Sequence, residues 1–236
     1  MASRHLILGI FLSLPLWVSA QRQEIPSALR AAVPLLCTEN LASRTYVRGT
    51  GVIADSAGTL LTAAHVIEQA HANCTLSVMI PDEEWTRIGL LRRFSLLQCH
   101  VNQMLDLAVC HIQAADNRRD VGYLRPAPIR FRSPVAREPV WVTGFTGWLL
   151  APVTRAGHIT GQQSYRPQDG CRCDFATDIL AVEGMSGSPI ISYSGEVLGI
   201  VTQAGKGNFR GTSFGVSFSE ARNFLLREGV LPSPPQ

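Results

Sequence analysis

Three short patterns in the chain place chemically active side chains beside small or apolar residues. His65 follows a Leu-Thr-Ala-Ala run, Asp106 begins a Leu-Ala-Val run, and Ser186 stands in the sequence Gly-Met-Ser-Gly-Ser-Pro. A serine hydroxyl is a weak nucleophile until a neighbouring base takes its proton, and a carboxylate can orient that base. If folding brings these three side chains together, their chemistry is nucleophilic catalysis.

Each pattern also has a purely structural explanation. His65 can be a structural histidine at the end of a strand. Asp106 can face solvent at a strand edge, although a buried carboxylate there would need a partner such as a histidine N–H, because burying it unpaired is costly. The glycine- and serine-rich segment can be an ordinary turn. Both explanations remain open for each pattern taken alone.

The glycines beside Ser186 suggest a second function for this segment. Without side chains, Gly184 and Gly187 let the backbone turn sharply, so the amides of Gly184 and Ser186 can point to one place. Two such N–H donors can bind the oxyanion that forms when a carbonyl is attacked. The pattern is not the Gly-x-Ser-x-Gly elbow of α/β-hydrolases, because Ser188 occupies its last position and the strands do not alternate with helices.

The elements that would position these residues are predominantly strands. Short runs rich in Val, Ile, Leu and Thr alternate with turn residues at the spacing of β-sandwiches and barrels. A polar, proline-marked segment over residues 114–138 separates two sets of strands, which predicts two six-stranded units. The predicted strands are Gly49–Ala54, Thr59–Ala63, Thr75–Ile80, Trp85–Phe94 and Leu105–Ile112, then Val140–Phe145, Thr154–Gly161, Thr177–Val182, Pro189–Tyr193, Val197–Thr202 and Gly211–Phe218. One helix is predicted, Ser219–Glu228, with Gly229 as its stop.

Composition excludes several classes of protein. The 236 residues are 46% hydrophobic and 17% charged, which disfavours disordered, collagen-like and coiled-coil chains. The formal charge of +3 is small and the arginines are scattered, so no nucleic-acid partner is expected.

The N-terminal segment has the pattern of a signal peptide. Arg4 precedes an apolar run from Leu6 to Val18, which is shorter than the roughly 20 residues of a membrane-spanning helix. The small residues Ser19 and Ala20 suit cleavage. We predict a signal peptide over residues 1–20 and a mature domain over 21–236 that is secreted or periplasmic and not bound to a membrane.

All six cysteines lie beyond that segment, and an even number in an oxidising compartment favours disulfides. Their spacing does not match a zinc site, and no His-Glu-x-x-His pattern is present. We expect no catalytic metal and no cofactor.

The three motifs together carry a family resemblance. Thr-Ala-Ala-His, Asp-Leu-Ala-Val and Gly-x-Ser-Gly-Ser-Pro place His65, Asp106 and Ser186 in this order, 41 and 80 residues apart. In order and motif they closely resemble the trypsin-like, chymotrypsin-fold serine proteases. The resemblance covers about residues 30–228, including the strand Val197–Thr202, and in motif style it is nearest to the bacterial glutamyl-endopeptidase and HtrA-type branches.

The resemblance implies an all-β fold of two six-stranded antiparallel Greek-key barrels with a C-terminal helix. Barrel one would span about residues 30–115, the connection about 116–138, barrel two about 139–218 and the helix about 219–228.

The resemblance also implies a function. The chain would be a monomeric serine endopeptidase that hydrolyses a polypeptide substrate through an acyl-enzyme, with Ser186 as nucleophile, His65 as base and Asp106 orienting the imidazole. The amides of Gly184 and Ser186 would form the oxyanion hole. The alternative is a catalytically inactive relative that serves as a binding module.

Further positions follow from the same resemblance. Leu180, Ala181 and Val201 correspond to the specificity pocket, and their apolar side chains imply cleavage after small or medium hydrophobic residues. Thr202 corresponds to a small hydroxyl residue near the aspartate, and the backbone from Thr202 to Ala204 would pair with substrate as an added strand.

Maturation and disulfides can be predicted from the resemblance as well. Relatives that are switched on by a new N-terminus carry an aspartate directly before the serine. Met185 stands there and cannot accept an ammonium group, so no such switch is expected. The fourth and fifth strands of such a barrel are neighbours, which implies a Cys74–Cys99 bridge. Cys37 with Cys110 and Cys171 with Cys173 would then remain, although the last ring would be strained and other pairings stay open.

Overall fold

The computed structural model of the protein describes residues 27–39, 44–71, 74–81, 91–112, 125–147, 149–165 and 173–233. The predicted signal peptide, residues 85–90 of one predicted strand and Cys171 lie outside these ranges. None of the described helices is both long enough and apolar enough to cross a membrane.

The first half of the chain forms a closed antiparallel barrel in the order β1-β2-β3-β6-β5-β4. Its strands are β1 Ala32–Glu39, β2 Thr45–Ile53, β3 Thr59–Ala63, β4 Cys74–Pro81, β5 Leu91–Asn102 and β6 Leu107–Ile112. Every residue of β3 is buried, because one face of this strand lines the barrel and the other faces the second half of the molecule. A helix, α1 Ala64–His71, follows β3 directly.

The second half forms another closed antiparallel barrel, in the order β10-β11-β12-β9-β8-β7. Its strands are β7 Pro139–Thr146, β8 Leu149–Tyr165, β9 Cys173–Thr177, β10 Pro189–Ser192, β11 Val197–Ala204 and β12 Ser213–Ser217. The predicted all-β fold of two six-stranded antiparallel barrels with a C-terminal helix is confirmed.

A continuous apolar core joins the two barrels and the C-terminal helix. Leu61 and Val109 of barrel one belong to the same buried cluster as Ile200 and Val216 of barrel two. Phe224 and Leu225 of the helix pack into it as well. Burial of apolar side chains therefore fixes how the two barrels meet, which is where the candidate site lies.

One strand and one helix of the fold, β1 and α1, were not predicted from the sequence. Strand β1 contains Pro34, which lacks an N–H and disfavours a strand, yet β1 is paired on both sides, with β2 and β4. Helix α1 is only eight residues long and begins without a break where β3 ends, so its buried Val66 and Ile67 look like a continuation of the strand.

The predicted strand Thr177–Val182 is wrong beyond its first residue. Strand β9 ends at Thr177 because local side-chain bonds replace the sheet pairing. The Asp178 carboxylate accepts from His158 N–H at 2.6 Å, and Ile179 N–H donates to the Thr177 hydroxyl at 3.2 Å. Residues 178–182 consequently form an irregular segment that leads to Ser186.

The C-terminal helix, α2 Arg222–Arg227, is shorter than the predicted Ser219–Glu228. The first turn of the predicted helix is held by Ser217, whose hydroxyl bonds Ser219 Oγ at 2.8 Å and accepts from Glu220 N–H at 3.2 Å. The predicted stop is confirmed, since Gly229 follows with φ +79° and donates to the Leu226 carbonyl.

The segment between the barrels runs beside β11. Pro128 O accepts from Val197 N–H at 2.7 Å, and Arg130 N–H donates to Val197 O at 3.0 Å. The buried Arg130 guanidinium makes two hydrogen bonds to the Glu138 carboxylate, at 2.7 and 2.9 Å. This ion pair fastens the connection to the start of barrel two.

The disulfides are Cys37–Cys74 and Cys99–Cys110, so the predicted Cys74–Cys99 and Cys37–Cys110 bridges are wrong. Strand β4 has β1 as its second neighbour, and Cys37 of β1 lies diagonally across from Cys74, two positions along the register. Cys99 of β5 stands directly opposite Cys110 of β6. The error follows from the missed strand, because without β1 the chain offers Cys74 only β5 as a neighbour.

Candidate active site

His65 and Asp106 are brought together by the junction of β3 with α1. His65 is the second residue of α1, and its Nδ1 lies 2.7 Å from Asp106 Oδ2. Its backbone N–H donates to Asp106 Oδ1 at 2.9 Å. An ionised carboxylate only accepts hydrogen bonds, so in the neutral imidazole this contact selects the tautomer with the proton on Nδ1 and the lone pair on Nε2.

Asp106 occupies an unusual backbone conformation that supports this pairing. It has φ +48° and ψ +44°, a left-handed geometry that aspartate tolerates better than most residues. The 3₁₀ turn Gln103–Leu105 precedes it and is capped by the Asn102 side chain. Asp106 O accepts from Ala64 N–H at 3.1 Å. Asp106 therefore stands before β6, and both its main chain and its side chain bond the start of α1.

Ser186 lies in the turn between β9 and β10. Ser188 N–H donates to Met185 O and Met185 N–H donates to Val182 O, each at 3.0 Å. Gly187 has φ +84°, and a Cβ there would lie 2.1 Å from Thr50 O. Only glycine fits, because this turn is pressed against β2 of the other barrel.

The same turn approaches the segment that carries His65. A Cβ on Gly187 would also lie 3.0 Å from Ala63 N, two residues before His65. Thr50 N–H donates to Ser186 O at 2.8 Å. Within the described part of the chain the Ser186 hydroxyl makes no hydrogen bond to the His65 ring.

The amides of Gly184 and Ser186 differ from those of Met185, Gly187 and Ser188, which all donate within the protein. Among the described residues, neither N–H donates a hydrogen bond to the protein. Gly184 has φ +91°, and its backbone packs so closely on Phe145 that a Cβ would lie 2.6 Å from the Phe145 carbonyl oxygen. Both predicted oxyanion donors therefore lack a protein acceptor within the described residues.

The comparison with protein families agrees with this geometry. Residues 49–200 match the model of the trypsin-like peptidase domain. The chain belongs to this family. The match spans more than half of the chain and contains His65, Asp106 and Ser186, and the family assigns the protein in general to the serine proteases, whose substrates are peptides.

In this trypsin-like peptidase the predicted pocket residues have different environments. Leu180 is 41% exposed, and its carbonyl accepts from Arg155 Nη1 at 3.2 Å. Ala181 and Val201 are buried in the core of barrel two together with Met185. Leu180 thus offers an accessible apolar side chain, whereas Ala181 and Val201 are packed inside the core of barrel two.

Thr202 makes its side-chain bonds inside barrel two. Its hydroxyl lies 3.1 Å from Cys173 Sγ and 3.4 Å from Phe214 O, and Asp106 is not among its partners in the described ranges.

The backbone from Thr202 to Ala204 is the segment predicted to pair with substrate. Strand β10 pairs with β11 only as far as Ile200, so within the described residues the Thr202–Ala204 edge that faces away from β12 has no partner strand.

One residue that contacts the Ser186 turn was not identified from the sequence. Thr50 was assigned only to a strand, and the available signal is its position between the small residues Gly49 and Gly51. A Cβ on Gly49 would lie 2.7 Å from Val66 and 3.1 Å from Ser186 O. The close contacts that require glycine at position 49 form only when the two barrels pack together, so they cannot be read from the sequence.

The described residues contain no group of three or more His, Cys, Asp or Glu side chains arranged to hold a metal ion.

Proposed function

We propose that this chain is a secreted serine endopeptidase in which Ser186, His65 and Asp106 act as a catalytic triad. The observation that carries the proposal is the 2.7 Å contact between His65 Nδ1 and Asp106 Oδ2. It fixes the imidazole tautomer that has a basic Nε2, which is the form a serine nucleophile requires.

The reaction would proceed in two steps, acylation and then deacylation of Ser186. Ser186 Oγ attacks the scissile carbonyl carbon as His65 Nε2 takes the hydroxyl proton. The C–N bond then breaks, and the same nitrogen returns the proton to the leaving amine, which gives an acyl-enzyme. A water molecule repeats the sequence and releases the carboxylic acid product. In each half Asp106 stabilises the imidazolium.

The oxyanion of each tetrahedral intermediate would be bound by the amides of Gly184 and Ser186. The absence of any other described partner for these two N–H groups supports this assignment. Donors fixed before the reaction stabilise the developing charge without reorganisation.

The substrate would lie along the unpaired edge of β11 and present an apolar side chain to the pocket. Main-chain bonds to Thr202–Ala204 would add the substrate as a strand. An arginine or lysine side chain would meet the exposed Leu180, which provides no counter-charge. We therefore propose cleavage after small or medium hydrophobic residues.

Secretion as a monomer, without a nucleic-acid or membrane partner, completes the proposal. The two disulfides fit an oxidising compartment. Met185, fully buried in the core of barrel two, supports maturation without an N-terminal switch, since an apolar side chain there cannot receive an ammonium group.

The test is labelling by a fluorophosphonate, which reacts with an activated serine. We expect the oxidised protein that starts at Gln21 to be labelled, and Ser186→Ala to abolish labelling. Ser188→Ala is the matched control, because this serine lies two residues away and is fully buried. A folded, oxidised protein that takes up no label would favour the inactive binding module instead.

A further inference from the structure

Thr50 connects the two barrels at the candidate site. It lies in β2 of barrel one, is fully buried, and contacts the turn that carries Ser186. We infer that Thr50 is a positioning residue, whose hydroxyl and backbone hold the oxyanion-binding turn of barrel two in its working geometry. The inference rests on the proposed function and adds a residue that touches neither the substrate nor the reacting atoms.

The Thr50 hydroxyl donates one hydrogen bond and accepts another, and both partners belong to barrel two. It donates to Gly184 O at 2.9 Å and accepts from Phe145 N–H at 3.0 Å. The senses are fixed, because a carbonyl can only accept and an amide N–H can only donate. One side chain thereby bridges the end of β7 and the turn that contains Ser186.

The Thr50 backbone adds a second connection to the same turn. Its N–H donates to Ser186 O at 2.8 Å, and its own carbonyl accepts from the Thr62 hydroxyl at 2.7 Å. Thr62 belongs to β3, the strand that leads to His65. Thr50 therefore holds the carbonyls of Gly184 and Ser186 while it is itself fixed to the strand that positions the base.

The turn needs such external restraint because of its composition. Gly184 and Gly187 flank Met185 and Ser186, and both have positive φ. Glycine has the largest conformational freedom of any residue, so two glycines leave the direction of the oxyanion donors weakly determined. A trans peptide is planar, so holding Gly184 O also fixes the plane that it shares with Met185 N–H. Rotation at Gly184, and with it the direction of its own amide, is then restricted.

The surroundings of this hydroxyl are closely packed. Phe145 packs its ring among Ala32, Leu36 and Val47 of barrel one. A Cβ on Gly144 would lie 3.1 Å from Thr50 Oγ1 and 2.0 Å from Ser188 Oγ, so the space beside the hydroxyl is filled. Removing the hydroxyl leaves Gly184 O and Phe145 N–H without partners in a buried place, and the turn must shift to satisfy them.

The experiment compares Thr50→Val, which keeps the shape and removes the hydroxyl, with Thr50→Ser, which keeps the hydroxyl. Thr143→Val is the matched control, because Thr143 is also buried and its hydroxyl bonds only Thr154 among the described residues. We expect Thr50→Val to lower kcat on a peptide substrate at least about tenfold with little change in KM, since sub-ångström displacement of a catalytic group slows chemistry. Thr50→Ser and Thr143→Val should stay within about threefold of wild type.

Equal losses of kcat in Thr50→Val and Thr143→Val, or a loss in Thr50→Ser as large as in Thr50→Val, would overturn the inference. If Thr50→Val does not fold, Thr50→Ala replaces it and Thr143→Ala becomes its control, with the same expectations.

A second measurement needs neither a variant nor enzymatic activity. In the wild-type protein, amide hydrogen exchange at Phe145 should be strongly protected, because its N–H donates to the buried Thr50 hydroxyl. Fast exchange at Phe145 would contradict the bridge even in an inactive protein. If the wild type takes up no fluorophosphonate while Phe145 is protected, the proposed function fails and the bridge stands.

Discussion

The carboxylate of Asp106 accepts two hydrogen bonds from His65, one from the ring Nδ1 at 2.7 Å and one from the backbone N–H at 2.9 Å. The same carboxylate therefore orients the imidazole and fixes the first turn of α1. Asp106 O also accepts from Ala64 N–H, so three hydrogen bonds hold Asp106 against the first two residues of α1.

The substitution Asp106→Asn separates the two functions of the carboxylate. The new side chain can keep the backbone bond through its oxygen, but its amide donates to Nδ1 and forces the ring proton onto Nε2. We expect kcat on a peptide substrate to fall about ten-thousandfold, as loss of the correct tautomer does in a serine triad. The thermal unfolding midpoint should change little by comparison. A kcat close to that of wild type would exclude Asp106 from the mechanism.

The lowered pKa of Glu138 predicts that the protein loses stability in acid. Burial raises its pKa, but the hydrogen bonds and charge of Arg130 outweigh burial, so the pKa lies below its usual value. A lowered pKa in the folded state contributes stability above the unfolded pKa and loses it as the pH falls through the folded value. At pH 7, Glu138→Gln should cost about 2 kcal/mol of unfolding free energy, because it leaves the buried Arg130 without its charged partner.

Urea unfolding of wild type and Glu138→Gln at pH 7 and at pH 3 measures this effect. The difference between the two proteins should shrink at pH 3. Glu196→Gln is the control, because Glu196 lies 3.8 Å from Arg130 without the paired hydrogen bonds and should show a smaller difference. A difference that is constant with pH would exclude the ion pair as its cause.

The raised pKa of Asp174 predicts the opposite dependence of stability on pH. Burial raises its pKa, and the two hydrogen bonds from Ser217 only partly oppose this. A raised pKa means that the stability is fully present below the unfolded pKa and is lost as the pH rises through the folded pKa. Asp174→Asn removes this titration, so the variant should gain stability relative to wild type between pH 3 and pH 7. A relative loss over that interval, measured by urea unfolding, would contradict the raised pKa.

The two disulfides should contribute unequally. Cys37–Cys74 joins residues 37 positions apart, and Cys99–Cys110 joins residues 11 apart. In the chain-entropy model the longer loop gives about 1 kcal/mol more stability. The double variant Cys37→Ala/Cys74→Ala should therefore be less stable than Cys99→Ala/Cys110→Ala in urea. Peptide mapping without reduction provides the check on connectivity, and a Cys74–Cys99 peptide would contradict the structure.

The parts of the fold and site that could be predicted from sequence depend on local patterns. Leu61 to His65, Asp106 to Val109 and Gly184 to Ser188 are each contiguous, so their chemistry can be recognised without the fold. Short runs rich in Val, Ile, Leu and Thr between turn residues likewise predicted most strands of both barrels.

The parts that could not be predicted depend on distant contacts or on local exceptions. Thr50 and Gly184 are 134 positions apart, and nothing near either residue in the sequence indicates their hydrogen bond. Pro34 concealed β1, and the wrong disulfides followed from that omission. Asp178 ended β9 through a bond to His158 of another strand, so propensity within residues 177–182 could not predict the irregular segment.

The central claim is that Ser186, His65 and Asp106 act as one unit on a peptide bond. The most direct test is kcat for hydrolysis of a peptide with leucine before the scissile bond, measured for the wild type, for Ser186→Ala and His65→Ala, and for the variant with all three residues replaced by alanine. We predict that each single variant is almost as slow as the triple variant, because residues of one triad are strongly non-additive. A Ser186→Ala or His65→Ala protein that is much faster than the triple variant would contradict it, and so would a Ser186→Ala protein with wild-type kcat.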